Sequence, residues 1–197
     1  MAEKFREIAF TESVRRAQDE YFGRSRAVVA RVERDVLGDD EIVFVRARDS
    51  FYIATVNEAG WPYVQHRGGP PGFLNVVSPT ELAFADYQGN RQVLSTGNLE
   101  VNDRVALFLM DYPARTRLKI LGRARVEDAR ARPDLVAAVA DVEAQRIVER
   151  VFLIDVVAFD WNCPKYITPR YTAAEIEAWA APLRRRIAEL EEELRRK

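Results

Sequence analysis

One cysteine and one histidine stand in a chain of 197 residues. Cys163 alone forms no intramolecular disulfide. With a single histidine beside it there is no Cys- or His-rich ligand set, so a transition-metal enzyme is not expected. Cys163 reads as a passenger, because a lone thiol without a lowered pKa is commonly inert. No sign of charge dominates either: 30 basic and 31 acidic residues leave a net charge of −1. Such a balance gives no global field to recruit nucleic acid or an anionic membrane, and neither is expected as a partner. No stretch approaches the roughly 20 apolar residues of a membrane span, and the N-terminus, MAEKFREIAF, has no long apolar run. A soluble, cytoplasmic protein is the expectation. What is present is a chain 48% hydrophobic, suited to one domain with a sizeable core and unsuited to disorder.

Read in order, the chain begins with helix signals. Thr11 can cap a helix running to about Phe22, with Glu12 in its first turn and Gly23 as a stop. Val14, Ala17, Tyr21 and Phe22 share a face, which predicts packing on the body. Ser25 is placed to cap a second helix containing Val28, Val29 and Val32, ended by Gly38-Asp39-Asp40. Strand signals follow from Ser50: FYIATVN, a turn at Asn57–Gly60, then Trp61–His66, Phe73–Val77, Glu81–Ala85, Arg104–Met110, Arg117–Val126 and Val151–Phe159. Many are apolar on both alternations, as expected for strands covered outside by helices or by a partner. Gly122, inside a long strand, marks a bulge or corner. Pro133 opens a helical crossover. Thr172-Ala173-Ala174-Glu175 is a capping box, and Ile176, Trp179, Leu183, Ile187, Leu190 and Leu194 step by threes and fours behind it, with Pro182 expected to kink or split the helix. Seven short strands with tight turns fit a closed or split barrel better than a βαβ sheet. The expected organisation is a single domain, 1–197: a helical extension over 1–45, a barrel over 50–171 and a C-terminal helix over 172–197.

The stretch from Gly60 to Asn98 carries two glycine-containing turns, each with an arginine: Arg67 beside Gly68-Gly69, and Arg91 after Gly89-Asn90. Glycine lets main-chain N–H groups approach an anion. The second turn leads into a short helical pattern, Arg91 to Leu99, whose free N-terminal N–H groups favour phosphate. Two such devices close together suit one phosphorylated ligand gripped from two sides. The same spacing also suits two ordinary loops with solvated arginines.

The run PYVQHRGGPPGFLNVV, followed by GNR, NDRVALFLM, RTRLKILGRARV and WNCPKYI, resembles the pyridoxamine-5′-phosphate-oxidase-like family of FMN-binding split barrels, in its branch of predicted flavin-nucleotide-binding proteins. The resemblance covers about Ser50 to Tyr171. It implies a mainly β fold with peripheral helices (α+β), a split β-barrel that is homodimeric, and FMN bound by its phosphate with two cofactor sites at the interface. By position, Arg67 and Arg91 supply paired contacts to phosphate, with Gly68, Asn90 and Ser95 beside them and Gln65 and His66 along the flavin edge. Arg117 is placed toward the cofactor if its strand face meets the interface; a solvated face is the alternative. Trp161 and Lys165, in WNCPKYITPRY, lie near the flavin ring, where a cation favours the anionic reduced form. His66 reads as a binding residue before a catalytic one, since no substrate proton is placed within its reach. The resemblance departs at the end of the chain. Pyridoxamine-phosphate oxidases end in a strand with basic substrate-binding residues, and here a charged helix stands. The implied function is an FMN-dependent oxidoreductase acting on a small molecule, with an electron donor such as NADH or NADPH. The alternatives are a flavin carrier or sensor without turnover, or a relative that binds haem or a deazaflavin.

Overall fold

The structure is a computed structural model that describes residues 2–25, 32–161 and 164–196. The chain forms two compact units, one comprising Met1–Met110 with Arg117–Cys163, the other Asp111–Thr116 with Pro164–Lys197.

The first unit is organised by a seven-stranded sheet of order β2-β1-β5-β6-β7-β4-β3. Its strands are β1 (Ser50–Val56), β2 (Pro62–Gly68), β3 (Asn75–Ser78), β4 (Glu81–Tyr87), β5 (Arg104–Asp111), β6 (Thr116–Asp128) and β7 (Val148–Trp161). β1 pairs antiparallel with β2 and β5, and β4 pairs antiparallel with β3 and β7. The longest ladder joins β6 to β7, from Leu118 opposite Trp161 to Asp128 opposite Arg150. Its register shifts between Leu121 and Gly122, and a Cβ on Gly122 would stand 2.7 Å from the Asp155 carbonyl oxygen. Gly122 is therefore the expected bulge, a point where two backbones come too close for any side chain.

Although β2 and β4 stand far apart in strand order, the sheet curls until they face each other. Phe51 of β1 meets Phe84 of β4 edge to face at 5.3 Å, and Phe84 stacks on Phe152 of β7 at 4.8 Å. These three rings are fully buried, with Ile53, Leu107, Ile120 and Ile154 in the same core. Each such side chain contributes roughly 1.5–3 kcal/mol of burial. β4 and β7 are apolar on both faces for a reason within the chain. Their other alternation, Ala83, Val151 and Leu153, is covered by Val136 and Val139 of helix α5 (Pro133–Val139). The sequence left helix or partner open there, and the cover is a helix.

The other helices of this unit are α1 (Glu3–Ala9), α2 (Glu12–Phe22), α3 (Asp39–Arg46) and α4 (Leu94–Val101). The Asp35 carboxylate accepts N–H bonds from Lys4 and Phe5, each at 3.0 Å, and from Phe159 at 3.3 Å, so a distant residue caps α1 and ties it to β7. α2 begins and ends where expected, Thr11 accepting from Val14 N–H and Gly23 at φ 64° closing it. Its predicted packing face is not buried: Tyr21 is 76% exposed and Phe22 74%. The helix expected from Ser25 lies largely in 26–31, outside the described residues. Its expected stop is corrected outright, because Gly38 precedes α3 and its N–H bonds back to Glu41 at 2.9 Å, half of a capping box.

The second unit contains the tip between β5 and β6, where Arg115 takes φ 53° and its N–H bonds to the Tyr112 carbonyl at 3.2 Å. The Arg170 guanidinium lies 5.0 Å above the Tyr112 ring. Its helix α6 (Ala173–Arg195) opens on the predicted capping box, with Glu175 N–H donating to Thr172 Oγ1 at 3.2 Å and Thr172 N–H to Glu175 at 2.7 Å. Pro182 lies inside α6 without splitting it. The ring costs one backbone bond, and the long capped helix on either side absorbs the loss.

Candidate functional site

Alternation along β2 decides which of its side chains meet. Tyr63, Gln65 and Arg67 are half-buried on one face, while Val64, His66 and Gly68 lie exposed on the other. The Arg67 guanidinium lies over the rings of Phe84 and Phe152, at 5.5 and 5.2 Å, and Nη1 donates to Asp86 Oδ1 at 2.5 Å. Asp86 of β4 is opposite Arg150 of β7 in the ladder, and Arg150 Nε donates to its other oxygen at 2.8 Å. Arg150 continues to Glu149 at 3.3 Å, and Glu149 accepts from Arg91 Nε at 3.2 Å. The result is an alternating chain, Arg67–Asp86–Arg150–Glu149–Arg91, with one more cation than anion. Arg67 Nε is buried without a hydrogen-bond partner among the described residues. A buried donor left in this state is costly unless something accepts from it.

These groups line a polar pocket of about 250 Å³, together with Gln65, Asn90 and Ser95. Ser95 Oγ donates to Gln65 Oε1 at 2.9 Å, which fixes the start of α4 against β2. Asn90 Oδ1 accepts from Gln92 N–H at 3.2 Å, an Asx turn that shapes the loop. Arg91 at φ 57° and Val93 at φ 48° take left-handed backbone. For β-branched Val93, at the start of α4, that is strain of about 1–3 kcal/mol, of the kind that clusters at binding sites. Tyr87, also on the pocket wall, has its phenol pKa pushed up by burial and by the nearby Asp141 carboxylate. At 250 Å³ the pocket falls short of the roughly 300–1,000 Å³ usual for whole ligands. It adjoins a groove of about 1070 Å³ through the shared residues Arg91, Val93, Thr96 and Arg150, with Leu99, Ala124 and Val126 as apolar wall. The groove's other arginines are paired: Arg123 with Asp103 at 2.7 Å, Arg125 with Glu81 at 2.8 Å, and Arg130 with Asp128 at 2.7 Å. The last pairing holds the Asp128 carboxyl down at about 2.

Of the residues singled out in the sequence, the structure brings Gln65, Arg67, Asn90, Arg91 and Ser95 to one pocket. The others lie elsewhere. His66 sits on the outer face of β2, edge to face with Tyr52 at 5.6 Å. Gly68 belongs to the β2 ladder, opposite Ser50. The first glycine turn does not present its N–H groups to a ligand: Gly69 N–H bonds to the Asp49 carbonyl at 2.9 Å, and a Cβ there would meet the Phe73 side chain at 2.7 Å. Gly69 serves close packing of Phe73. The Arg117 guanidinium lies 5.7 Å from the Phe108 ring. Trp161 packs edge to face on Phe44 at 4.8 Å and its indole N–H donates to Glu41. Lys165 is exposed and belongs to the second unit. Sequence reasoning missed Asp86 and Arg150, the middle of the ionic chain. Their signal is the charged pair that the β4–β7 ladder sets opposite each other, and that pairing joins residues 64 apart. Among the described residues no cluster of His, Cys, Asp or Glu could hold a metal ion, and no helix is long and apolar enough to cross a membrane.

No curated protein matches the chain. Among solved structures it is similar to a putative pyridoxamine 5′-phosphate oxidase from Lactobacillus delbrueckii, at 21% identity over 64% of this chain and 93% of that one, with a TM-score of 0.48. It is also similar to HupZ of group A Streptococcus, at 12% identity over 68% and 100% of the two chains with a TM-score of 0.49. An FMN-binding protein from Syntrophomonas wolfei is similar at 7% identity over 62% and 86%, with a TM-score of 0.42. The family rests on a different finding, the match of residues 39–158 to the family model described as pyridoxamine 5′-phosphate oxidase. Because that match takes in the whole sheet from β1 through the greater part of β7, the chain belongs to the pyridoxamine 5′-phosphate oxidase family.

Proposed function

We propose that the chain binds FMN through its phosphate and acts as an FMN-dependent oxidoreductase, passing hydride or electrons to a small-molecule acceptor. The observation that carries this reading is the Arg67–Asp86–Arg150–Glu149–Arg91 chain, with its excess positive charge and the unpartnered Arg67 Nε. A phosphate oxygen is the kind of acceptor this donor lacks, and guanidinium forks suit phosphate geometry. Arg67, Arg91 and Arg150 would hold the phosphate, with Asn90 and Ser95 as neutral neighbours. The adjoining groove gives space for the rest of the molecule. When bound, the flavin supplies the redox chemistry. The chain's own part is to anchor the charged end, orient the ring end along Leu99, Ala124 and Val126, and keep water from it. The acting form in this reading is a two-fold dimer.

Titration with FMN and with riboflavin tests the anchor. Arg67→Ala and Arg150→Ala each remove charged hydrogen bonds of roughly 1.5–3 kcal/mol, so FMN affinity should fall about 10- to 100-fold. Riboflavin affinity should stay where it is. Equal losses for both ligands, or a protein that takes up neither, would overturn the reading.

One observation favours a second reading, a flavin carrier or sensor without turnover. The chain's one histidine faces away from the pocket, edge to face with Tyr52, so no imidazole stands there to act as acid or base. Anaerobic mixing of the FMN-loaded protein with NADH or NADPH separates the two readings. Bleaching of the flavin supports the oxidoreductase; an unchanged spectrum supports the carrier.

A further inference from the structure

α6 presents an apolar stripe whose side chains are exposed among the described residues. Ile176, Trp179, Leu183, Ile187, Leu190 and Leu194 are between 41% and 77% exposed, and the helix buries none of its residues. The stripe repeats every 11 residues: 176 to 187, 179 to 190, 183 to 194. Eleven residues in three turns is close to the natural pitch of an α-helix, so the stripe runs along one side without drifting round it. A line of large exposed apolar side chains on a charged helix marks an interaction surface.

The charges beside the stripe say which occupant fits. They are segregated along the helix, with Arg184–Arg186 in one block and Glu189, Glu191, Glu192 and Glu193 in the next. A parallel, in-register copy would set arginine on arginine and glutamate on glutamate. An antiparallel copy centred between Ala188 and Glu189 does the reverse. It places Leu183 against Leu194 of the second copy and Ile187 against Leu190, which closes the apolar seam. Arg184 and Glu191 share one flank of the stripe, Arg186 and Glu193 the other. In an antiparallel pair each flank meets its own copy, so both flanks acquire Arg–Glu pairs twice over by symmetry. Arg184 and Arg186 now pair only along their own helix, with Glu177 at 2.6 Å and Glu189 at 3.0 Å. Glu191 and Glu193 have no ion-pair partner among the described residues. Exposed ion pairs add little affinity; here they choose the orientation, and the apolar seam supplies the attraction. Pro182, which lacks an N–H, falls just outside the paired stretch, and Ile176 and Trp179 lie beyond it.

We propose that α6 is a self-association element that pairs antiparallel with α6 of a second copy, Leu183 to Leu194. This does not depend on the flavin reading, since the seam is made by α6 alone.

Cysteine cross-linking of the full chain tests both pairing and direction. In a background of Cys163→Ser, the variants Leu183→Cys, Leu194→Cys and the double variant are oxidised mildly and run without reductant. Leu183 and Leu194 lie about 16 Å apart along one helix, too far for a disulfide within a chain. Antiparallel pairing predicts that neither single variant forms a covalent dimer and the double variant does. Dimer from either single variant would mean a parallel arrangement and overturn the proposal, as would absence of dimer from all three. The positions are exposed, so folding is not at stake, and an unchanged far-ultraviolet helix signal verifies it. A charge-reversal variant, Arg184→Glu with Arg186→Glu, should lower the yield of cross-linked dimer in the double-cysteine chain, and adding Glu191→Arg with Glu193→Arg should restore it. Cross-linking that ignores charge would overturn the orientation argument.

Discussion

Asp86 is nearly enclosed and lies between two guanidinium groups, Arg67 at 2.5 Å and Arg150 at 2.8 Å. A carboxylate in this position keeps two arginines close together before any ligand arrives, and their proximity is what an anion would use. Asp86→Ala should therefore cost about 3 kcal/mol, the scale of breaking a buried ion pair by removing one partner. The same variant leaves Arg67 without its ion-pair partner and Arg150 with Glu149 alone, so inorganic phosphate should raise its melting temperature more than it raises that of the parent. Equal phosphate shifts in thermal denaturation would mean that the arginines simply swing into solvent. Tyr87, on the same wall, makes a prediction about pH. Burial and Asp141 raise its pKa in the fold above the ordinary value of 10.0. The stability this contributes is present below pH 10 and is lost as pH rises through the folded pKa, because the unfolded chain gives up the proton first. Urea unfolding repeated across the alkaline range should show the parent weakening more steeply than Tyr87→Phe; parallel curves would refute the shift.

At the scale of elements, the long β6–β7 ladder shifts register at Gly122, where two backbones come too close for a side chain. Gly122→Ala would drive a Cβ to 2.7 Å from the Asp155 carbonyl and 2.8 Å from Ile154 Cγ2. Backbone is on one side of that clash and core on the other, so a loss of about 2–3 kcal/mol is expected, read as a lower denaturant midpoint; an unshifted midpoint would show that the bulge yields. This glycine was legible in the sequence, as were α2, α5, α6 and the seven strands, because each announces itself by local spacing, caps or turns. α1 was not. Its cap is Asp35, some 30 residues away, and short helices held by distant groups leave no local mark. Gly38 was misread for a related reason: glycine both ends and precedes helices, and only the Glu41 carboxylate turning back to its N–H decides between them. In the site, Arg67, Gln65, Asn90, Arg91 and Ser95 come from one continuous stretch and could be found together. Asp86 and Arg150 could not, since a cross-strand pair exists only once the register is known.

For the whole molecule the remaining question is how assembly and ligand are coupled. Val64, Val77 and Trp61 stand exposed on or beside the sheet, at 60%, 55% and 73%, while the groove beside the polar pocket is open on one side and walled by Leu99 and Val126. A flavin ring lying there would keep one face toward water unless something else covered it. In the two-fold dimer of the proposed function a second copy supplies that cover, and symmetry makes two equivalent sites. Ligand bound more tightly by the associated state must then favour association, by mass action. Light scattering on dilute protein should show the average mass rising when FMN is added, and the apparent FMN affinity should rise with protein concentration. Riboflavin should act in the same direction at higher concentration, since ring cover and not phosphate is what couples the two. The α6 seam is kept out of this test by using the Arg184→Glu, Arg186→Glu variant, in which helix pairing is opposed by like charge. A monomer that binds FMN with one affinity at every protein concentration would place the whole site within one chain.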